Sequence, residues 1–176
     1  MWWILGIVAI CVGAFVLMVF IGGRFLGKEY VGQVTAIIDL PVEDVWKAVN
    51  DFQTNPVSAN MCRSVSKTQE DKEEEVWVED IGSTQISVTV QSRTEHQLVR
   101  NMQDRIVPMT AVCTVQLESM GQSCQITAKN EITIEDGTWH VPVFRCVLYF
   151  FSGAKKGMKA YVKNVAKNLS TQPKFS

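Results

Sequence analysis

The chain has 176 residues, of which 17 are basic and 18 are acidic. This balance excludes the strongly basic surface that binds nucleic acid, so we expect no nucleic-acid partner. The five cysteines are an odd number without paired spacing, which argues against a disulfide framework and favours a reducing compartment.

Residues 2–23 contain no charged side chain. About 21 helical residues span roughly 31 Å, which matches a bilayer core. The alternative is a cleaved signal peptide, but the apolar run is too long and no A-x-A site follows it. We therefore predict a transmembrane anchor over residues 1–23 and a linker over residues 24–29. Arg24 and Lys28 follow the anchor, which predicts the N-terminus outside and the domain in the cytoplasm, at a bacterial inner membrane.

A strand and a short helix open the rest of the chain. β-Branched residues indicate a strand over residues 30–40. Asp39 is expected to cap the helix that follows over residues 41–52, with Pro41 in its first turn. The apolar side chains of that helix fall on one face: Val42, Val45, Trp46, Val49 and Phe52.

Five or six strands are predicted next. Their expected ranges are residues 62–69, 76–81, 84–94, 96–105, 109–120 and, after the turn at Gly121, 124–134. Apolar and polar side chains alternate over residues 85–91, which is typical of a half-buried antiparallel strand. The charged turn over residues 70–75 is interpreted as a solvated hairpin tip, because a metal site there would need converging ligands. We expect neither a metal nor a cofactor.

The last element is predicted as one helix over residues 141–169. Its apolar positions recur at gaps of three and four: Phe144, Val147, Leu148, Phe151, Ala154, Met158, Tyr161, Val162, Val165 and Leu169. Lysines occupy the opposite side: Lys156, Lys159, Lys163 and Lys167. A long amphipathic helix after antiparallel strands needs a sheet that curls around it. The order therefore predicts an α+β fold in which a curved antiparallel sheet wraps around the C-terminal helix.

Two stretches carry a resemblance to a known family. They are D-L-P-V-E-D-V-W-K-A-V-N-D-F at residues 39–52 and G-A-K-K-G-M-K-A-Y-V-K-N-V at residues 153–165. Together with the element order, they resemble the START-like (SRPBCC) superfamily, which includes polyketide cyclases and has a helix-grip fold. The resemblance covers residues 30–170 and leaves residues 171–176 as a tail. It implies a cavity between sheet and helix for an apolar ligand such as a lipid, isoprenoid or polyketide.

The inward-facing positions are the candidate ligand-binding residues. They are Trp77, Val88, Val90, Cys113, Val115, Ala128, Asn130, Phe144, Leu148, Phe151 and Met158. Small side chains at Ala111, Cys113, Ala128 and Gly157 are expected to point inward and leave room. The alternative is that the large side chains of the set fill the space as an ordinary core, because pockets and cores use the same residue types.

Few polar residues indicate chemistry, and none is proposed as catalytic. His96 and His140 are too far apart in sequence to indicate a metal pair. Asn130 is expected to face inward, where it either braces a neighbouring element or contacts the polar head of a ligand. The same two roles are open to three further residues, Arg93, Arg100 and Glu131. Arginines on strands, however, more often lie outside the interior.

We therefore expect a membrane-anchored binding module for a hydrophobic small molecule. The alternatives are a polyketide cyclase or dehydratase, which would need an inward acid–base pair that is not evident, and a non-catalytic domain that binds a protein partner through the outer face of the sheet. Residues 146–151 are apolar all round, so they require cover from the protein or contact with the bilayer.

Overall fold

Up to the C-terminal helix, the helices and strands follow the predicted order in a computed structural model that describes residues 2–68 and 75–176. Most of the predicted hairpin tip at residues 70–75 lies outside the described residues. The elements are α1 (Trp2–Phe25), β1 (Glu29–Ile38), α2 (Val42–Asn50), β2 (Ser64–Lys67), β3 (Val76–Asp80), β4 (Gln85–Arg93), β5 (Gln97–Asp104), β6 (Met109–Met120), β7 (Ser123–Ile134), α3 (Val141–Phe150), α4 (Gly153–Asn168) and β8 (Lys174–Phe175).

The strands form a single antiparallel sheet in the order β2-β3-β4-β5-β6-β7-β1-β8. The first strand therefore lies beside the seventh, which brings the two ends of the domain together. The register of β4 on β5 shifts between Val90 and Ser92, an irregularity of the kind that bends a sheet. The predicted α+β fold, with an antiparallel sheet against C-terminal helices and one apolar N-terminal helix, is confirmed.

Two expectations at the ends of β1 are wrong. Asp39 does not cap α2, which has Pro41 as its N-cap residue and no side-chain cap. The Asp39 carboxylate instead accepts a hydrogen bond from Lys174 Nζ at 2.7 Å. This contact belongs to β8, which pairs with β1, so the last residues are the edge strand of the sheet and not a tail.

The predicted single C-terminal helix is two helices, α3 and α4. Ser152 separates them in the left-handed conformation, with φ 50°. Gly153 then begins α4 against Leu148, where a Cβ atom would lie 2.8 Å from a Leu148 methyl carbon. The periodic pattern runs through this break because both helices are amphipathic, but their apolar faces have different neighbours.

The break changes which side chains face the interior. The side chains of Phe144 and Phe151 are 42% and 61% exposed, so the expectation that they point inward is wrong. Leu148 is partly buried against the core. Gly157 lies on the exposed side of α4, also contrary to expectation, whereas Ala111, Cys113 and Ala128 are buried as predicted.

α4 lies directly on the sheet because β1 carries a glycine at the crossing point. A Cβ atom on Gly32 would overlap the backbone of Ala154 and Lys155 at the start of α4. At the other end of α4, the buried Asn55 accepts hydrogen bonds from Nδ2 of Asn164 at 3.2 Å and of Asn168 at 2.8 Å. Asn55 Nδ2 also donates to a carbonyl of α2 at 2.9 Å, so one side chain joins α2 to α4.

Candidate functional site

A buried arginine occupies the middle of the space between the sheet and α4. Arg100 on β5 is fully buried, so the expectation that it lies outside is wrong. Its neighbours at alternate positions, Leu98 and Met102, are apolar and also buried. Side chains two apart on a strand share a face. This alternation is therefore the signal in the sequence by which Arg100 could have been placed inside.

Two aromatic rings enclose the Arg100 guanidinium. Its central carbon lies 5.2 Å from the ring centre of Phe52 and 5.1 Å from that of Tyr161 on α4. Arg100 Nη2 donates to Cys113 Sγ at 3.9 Å, and the Cys113 thiol in turn lies 3.9 Å from Met158 Sδ. We call these five residues the Arg100 centre. They come from β5, β6, α4 and the turn after α2, which only the folded chain brings together.

The Arg100 centre contains polar atoms without hydrogen-bond partners. Arg100 Nε and Tyr161 Oη are both buried and both lack a partner. Most buried polar atoms in proteins are hydrogen-bonded, and leaving one unpaired costs about 1–3 kcal/mol. The Arg100 centre therefore has unused hydrogen-bond donors in an otherwise apolar interior.

Burial and proximity shift the pKa values of these groups. Burial lowers the pKa of Arg100, and Tyr161 and Cys113 raise it by more through the charges that they carry only when ionised at high pH, so the guanidinium stays a cation. Burial raises the pKa of Tyr161 and of Cys113, and the nearby Arg100 charge only partly opposes it. The phenol and the thiol are therefore neutral at physiological pH, which disfavours Cys113 as a nucleophile.

Glu79 on β3 is a buried carboxylate of this interior, and no pattern in the sequence pointed to it. The Glu79 carboxylate accepts hydrogen bonds from the backbone N–H of Val57 at 2.8 Å and of Ser58 at 2.9 Å, and another from the Ser58 hydroxyl. Its charge raises the pKa of Arg100 less than Tyr161 and Cys113 do. Glu79 is thus occupied in holding the segment after α2 against the sheet.

An aromatic stack leads from the Arg100 centre to the edge of the sheet. Trp77 meets Phe52 edge-on, with ring centres 5.5 Å apart and planes at 80°. Lys67 Nζ lies 5.5 Å from the Trp77 ring centre, and the exposed Arg93 lies 5.7 Å from that of Phe52. The Phe52 ring therefore contacts two arginines, the buried Arg100 and the solvent-exposed Arg93.

The structure brings most of the predicted ligand-binding residues together. Six of them are buried between the sheet and α4: Val88, Cys113, Val115, Ala128, Asn130 and Met158. Three more, Trp77, Val90 and Leu148, are partly buried against the same core. Phe144 and Phe151 lie outside this group. Side chains from the sheet and from α4 meet in this interior, where Cys113 Sγ lies 3.9 Å from Met158 Sδ.

Asn130 and Tyr30 are two further interior residues with unpaired polar atoms. Asn130 is buried, as its position on the strand predicted, but its Oδ1 atom has no hydrogen-bond partner. Tyr30 Oη also lacks a partner, and burial raises the pKa of its phenol. Of the two roles open to Asn130 from the sequence, bracing a neighbouring element receives no hydrogen bond through Oδ1.

Two surface depressions lie away from the Arg100 centre. One of about 450 Å³ separates α2 from the end of α4, and one of about 330 Å³ lies between β1 and α4. Neither is lined by a residue of the predicted ligand-binding set.

No family model matches the sequence, and no curated protein matches it. Solved structures are similar in fold. An aromatase/cyclase from Streptomyces sp. R1128 is 8% identical, with a TM-score of 0.65 over 81% of this chain and 94% of the other. A truncated norcoclaurine synthase from Thalictrum flavum is 9% identical, with a TM-score of 0.59 over 80% and 93%. A START superfamily protein from Mycobacterium smegmatis is 12% identical, with a TM-score of 0.54 over 80% and 94%.

Proposed function

We propose that this chain, in which residues 29–175 form a START-like (SRPBCC) helix-grip domain, is a membrane-anchored binding module for a hydrophobic small molecule. The ligand lies between the sheet and α4, with an acidic or carbonyl group on the Arg100 centre. The ligand class is a lipid, an isoprenoid or a polyketide-like molecule.

The observation that carries this proposal is the fully buried Arg100 with an unpaired Nε atom. Removing a guanidinium from water costs several kcal/mol unless it is well paired. Here its contacts are two aromatic rings and a thiol, which are weak compensation compared with a carboxylate. A ligand oxygen would supply the missing acceptor, since a guanidinium presents five N–H donors in a fixed geometry.

Entry of a ligand requires side chains of the packed interior to move. Met102 and Met158 are the suitable ones, because methionine is unbranched and adapts to irregular spaces. Met158 lies in the Arg100 centre, and Met102 lies one inward position along β5 from Arg100. Their displacement opens space beside the unpaired Arg100 Nε.

α1 is the anchor in this proposal. Among the described residues it is the one helix long and apolar enough to cross a membrane. Its 24 residues extend about 36 Å at 1.5 Å per residue, enough for a hydrocarbon core of about 30 Å. Its described side chains are exposed up to Met18, which is unlike the core helix of a soluble protein. Arg24 and Lys28 favour the cytoplasmic side for the domain.

A cyclase-type enzyme is the second candidate, and one observation bears on it. Glu79 and Tyr161 are an interior carboxylate and phenol of the kind that acid–base catalysis uses. The Glu79 carboxylate, however, accepts hydrogen bonds from Val57 and Ser58, so using it as a base would release the segment after α2. A binding role requires no such release, and we favour it.

Purification of the full chain with its surrounding membrane in polymer-bounded nanodiscs tests the proposal. Solvent extraction and mass spectrometry then identify small molecules that are enriched over bulk membrane lipid. The matched variants are R100M, which removes the buried cation, and R93M, which removes the exposed arginine from the same Phe52 ring.

We expect one enriched molecule in the wild type and in R93M, and about a tenfold or greater loss in R100M, since a charge-assisted hydrogen bond contributes about 1.5–3 kcal/mol. Absence of any enriched molecule from the wild type would contradict a ligand-binding role. Equal enrichment in R100M would place the ligand away from the Arg100 centre.

A further inference from the structure

α3 packs against the C-terminal end of α1. A Cβ atom on Gly23 would overlap the backbone of Pro142, so the two helices touch at a glycine. Cys146 Sγ donates to the carbonyl of Val19 at 3.5 Å. One turn away, the rings of Phe20 and Trp139 stack with centres 6.1 Å apart and planes at 12°. α3 therefore lies beside the C-terminal end of the apolar helix α1.

α3 and its flanks also expose large aromatic side chains. Trp139 is 76% exposed and Phe150 is 70% exposed, and Phe144, Tyr149 and Phe151 are also exposed. We call these five residues the aromatic face. Within the set, Tyr149 and Phe150 meet edge-on with ring centres 5.1 Å apart. Large apolar side chains exposed close together on a protein surface usually mark contact with a partner or a membrane.

The aromatic face has no charged neighbour on α3. Arg145 is the only charged residue of α3, and it is buried. Its guanidinium donates to the Ile134 carbonyl at 2.8 Å and to the Asp136 carboxylate at 3.0 Å. The single charge of this helix is therefore turned inward and neutralised, which leaves the outward side apolar.

We propose that α3 is a second membrane element, which lies in the bilayer interface with its aromatic face among the headgroups and upper acyl chains. This inference rests on the proposed membrane anchoring by α1. The occupant is lipid because the aromatic face continues the exposed apolar surface of α1 at the end where α1 leaves the bilayer. Tryptophan and tyrosine are enriched at this depth, and short amphipathic helices bind there.

Charges around α3 fit the same placement. Lys156 follows the aromatic face, with Nζ 5.8 Å from the Phe151 ring centre, where it can reach lipid phosphates. On the other side, Lys28 binds the carboxylates of Glu135 and Asp136, each at 2.9 Å. These ion pairs tie the segment after α1 to the segment before α3. The domain is consequently held with its α3 end towards the bilayer.

Trp139 is a native probe for this placement. We would reconstitute the full chain carrying W2F and W3F into phosphatidylcholine vesicles, with and without bromine on the upper acyl chain. Bromine quenches tryptophan on contact, and a matched W139F variant identifies the part of the signal that comes from Trp139. Flotation of the vesicles reports anchoring by α1 independently.

We expect brominated lipid to quench Trp139 and W139F to abolish that quenching. F150D, which places a charge on the aromatic face, should reduce it. M120D is the matched control, because Met120 is 53% exposed at the far end of β6, and it should leave the quenching unchanged.

Flotation without lipid quenching would refute the interfacial placement of α3 and leave the anchor intact. In that case, quenching of Trp139 by aqueous acrylamide would place the aromatic face in water, and protection from both quenchers would place it against another protein. Failure to float would refute the anchor itself, and with it the placement of α3.

Discussion

Replacing Arg100 by methionine separates a binding role from a structural one. Methionine has a similar length, carries no charge and can fill the space between Phe52 and Tyr161. If Arg100 stabilises the fold, R100M should unfold the domain readily. If Arg100 instead serves to bind a ligand, burial of its charge destabilises the ligand-free domain. R100M should then be as stable as the wild type or more stable.

The contacts of Arg100 decide between these outcomes. The change removes two desolvated cation–π contacts, about 2 kcal/mol each at most, and the long hydrogen bond to Cys113. In return, the methionine buries an apolar side chain, which contributes about 2 kcal/mol, and its sulfur gains up to about 1.5 kcal/mol against the rings. Relief of the buried charge adds several kcal/mol more. The sum favours R100M, and we expect a gain of about 1–3 kcal/mol, as for other buried charges replaced by apolar residues.

Thermal unfolding of the full chain in detergent micelles, followed by near-UV circular dichroism, measures this gain. One kcal/mol corresponds to about 2–4 °C in Tm for a chain of this size. The control is R93M, which removes the partly exposed cation from the same ring and should shift Tm by less than about 2 °C, as exposed sites do. A loss of more than about 2 kcal/mol in R100M alone would show that Arg100 braces the core and would refute the reasoning.

Three further predictions concern the frame of the domain. G32A should lower the free energy of unfolding by about 1–3 kcal/mol, because its methyl group displaces α4. G157A, at an exposed helical site with open space, should raise it by about 0.5–1 kcal/mol. Thermal unfolding measures both changes. N55A should lose about 2 kcal/mol by the same assay, because it releases α4 from α2. The hydrogen bond from Lys28 lowers the pKa of Asp136 below its ordinary 3.8. The ionised Asp136 therefore stabilises the fold above that pH. D136N should therefore lower Tm at neutral pH, and a pH series should show the deficit closing below pH 3.8; a deficit that persists in acid would contradict this ion pair.

Much of the inner face of the sheet could be predicted from the sequence. Alternation along a strand assigns side chains to a face without knowledge of any partner, and it placed Cys113, Ala128 and Asn130 inside correctly. The same rule applied to Arg100, but the usual exposure of strand arginines outweighed it in our prediction. A general preference for one residue type is weaker than the pattern of its own strand when both neighbours on that face are apolar.

The C-terminal helix could not be divided from the sequence alone. Residues 141–169 keep a helical period throughout, and the pattern does not reveal which element an apolar face contacts. The break at Ser152 arises because α3 contacts α1 while α4 contacts the sheet. The role of Asn55 could not be predicted either. Its hydrogen bonds join it to α4, more than a hundred residues later in the chain, and no local sequence pattern predicts them.

The sequence by itself determined the order of elements, the apolar N-terminal helix and the antiparallel α+β architecture, because these depend on periodicity and composition within short stretches. The tertiary structure alone decided how distant stretches combine. It enclosed Arg100 between Phe52 and Tyr161, which are separated from it by dozens of residues, and it turned the aromatic face of α3 outward beside α1. The reason is physical: periodicity records which side of an element avoids water, whereas the identity of the neighbour on that side depends on packing across the whole chain.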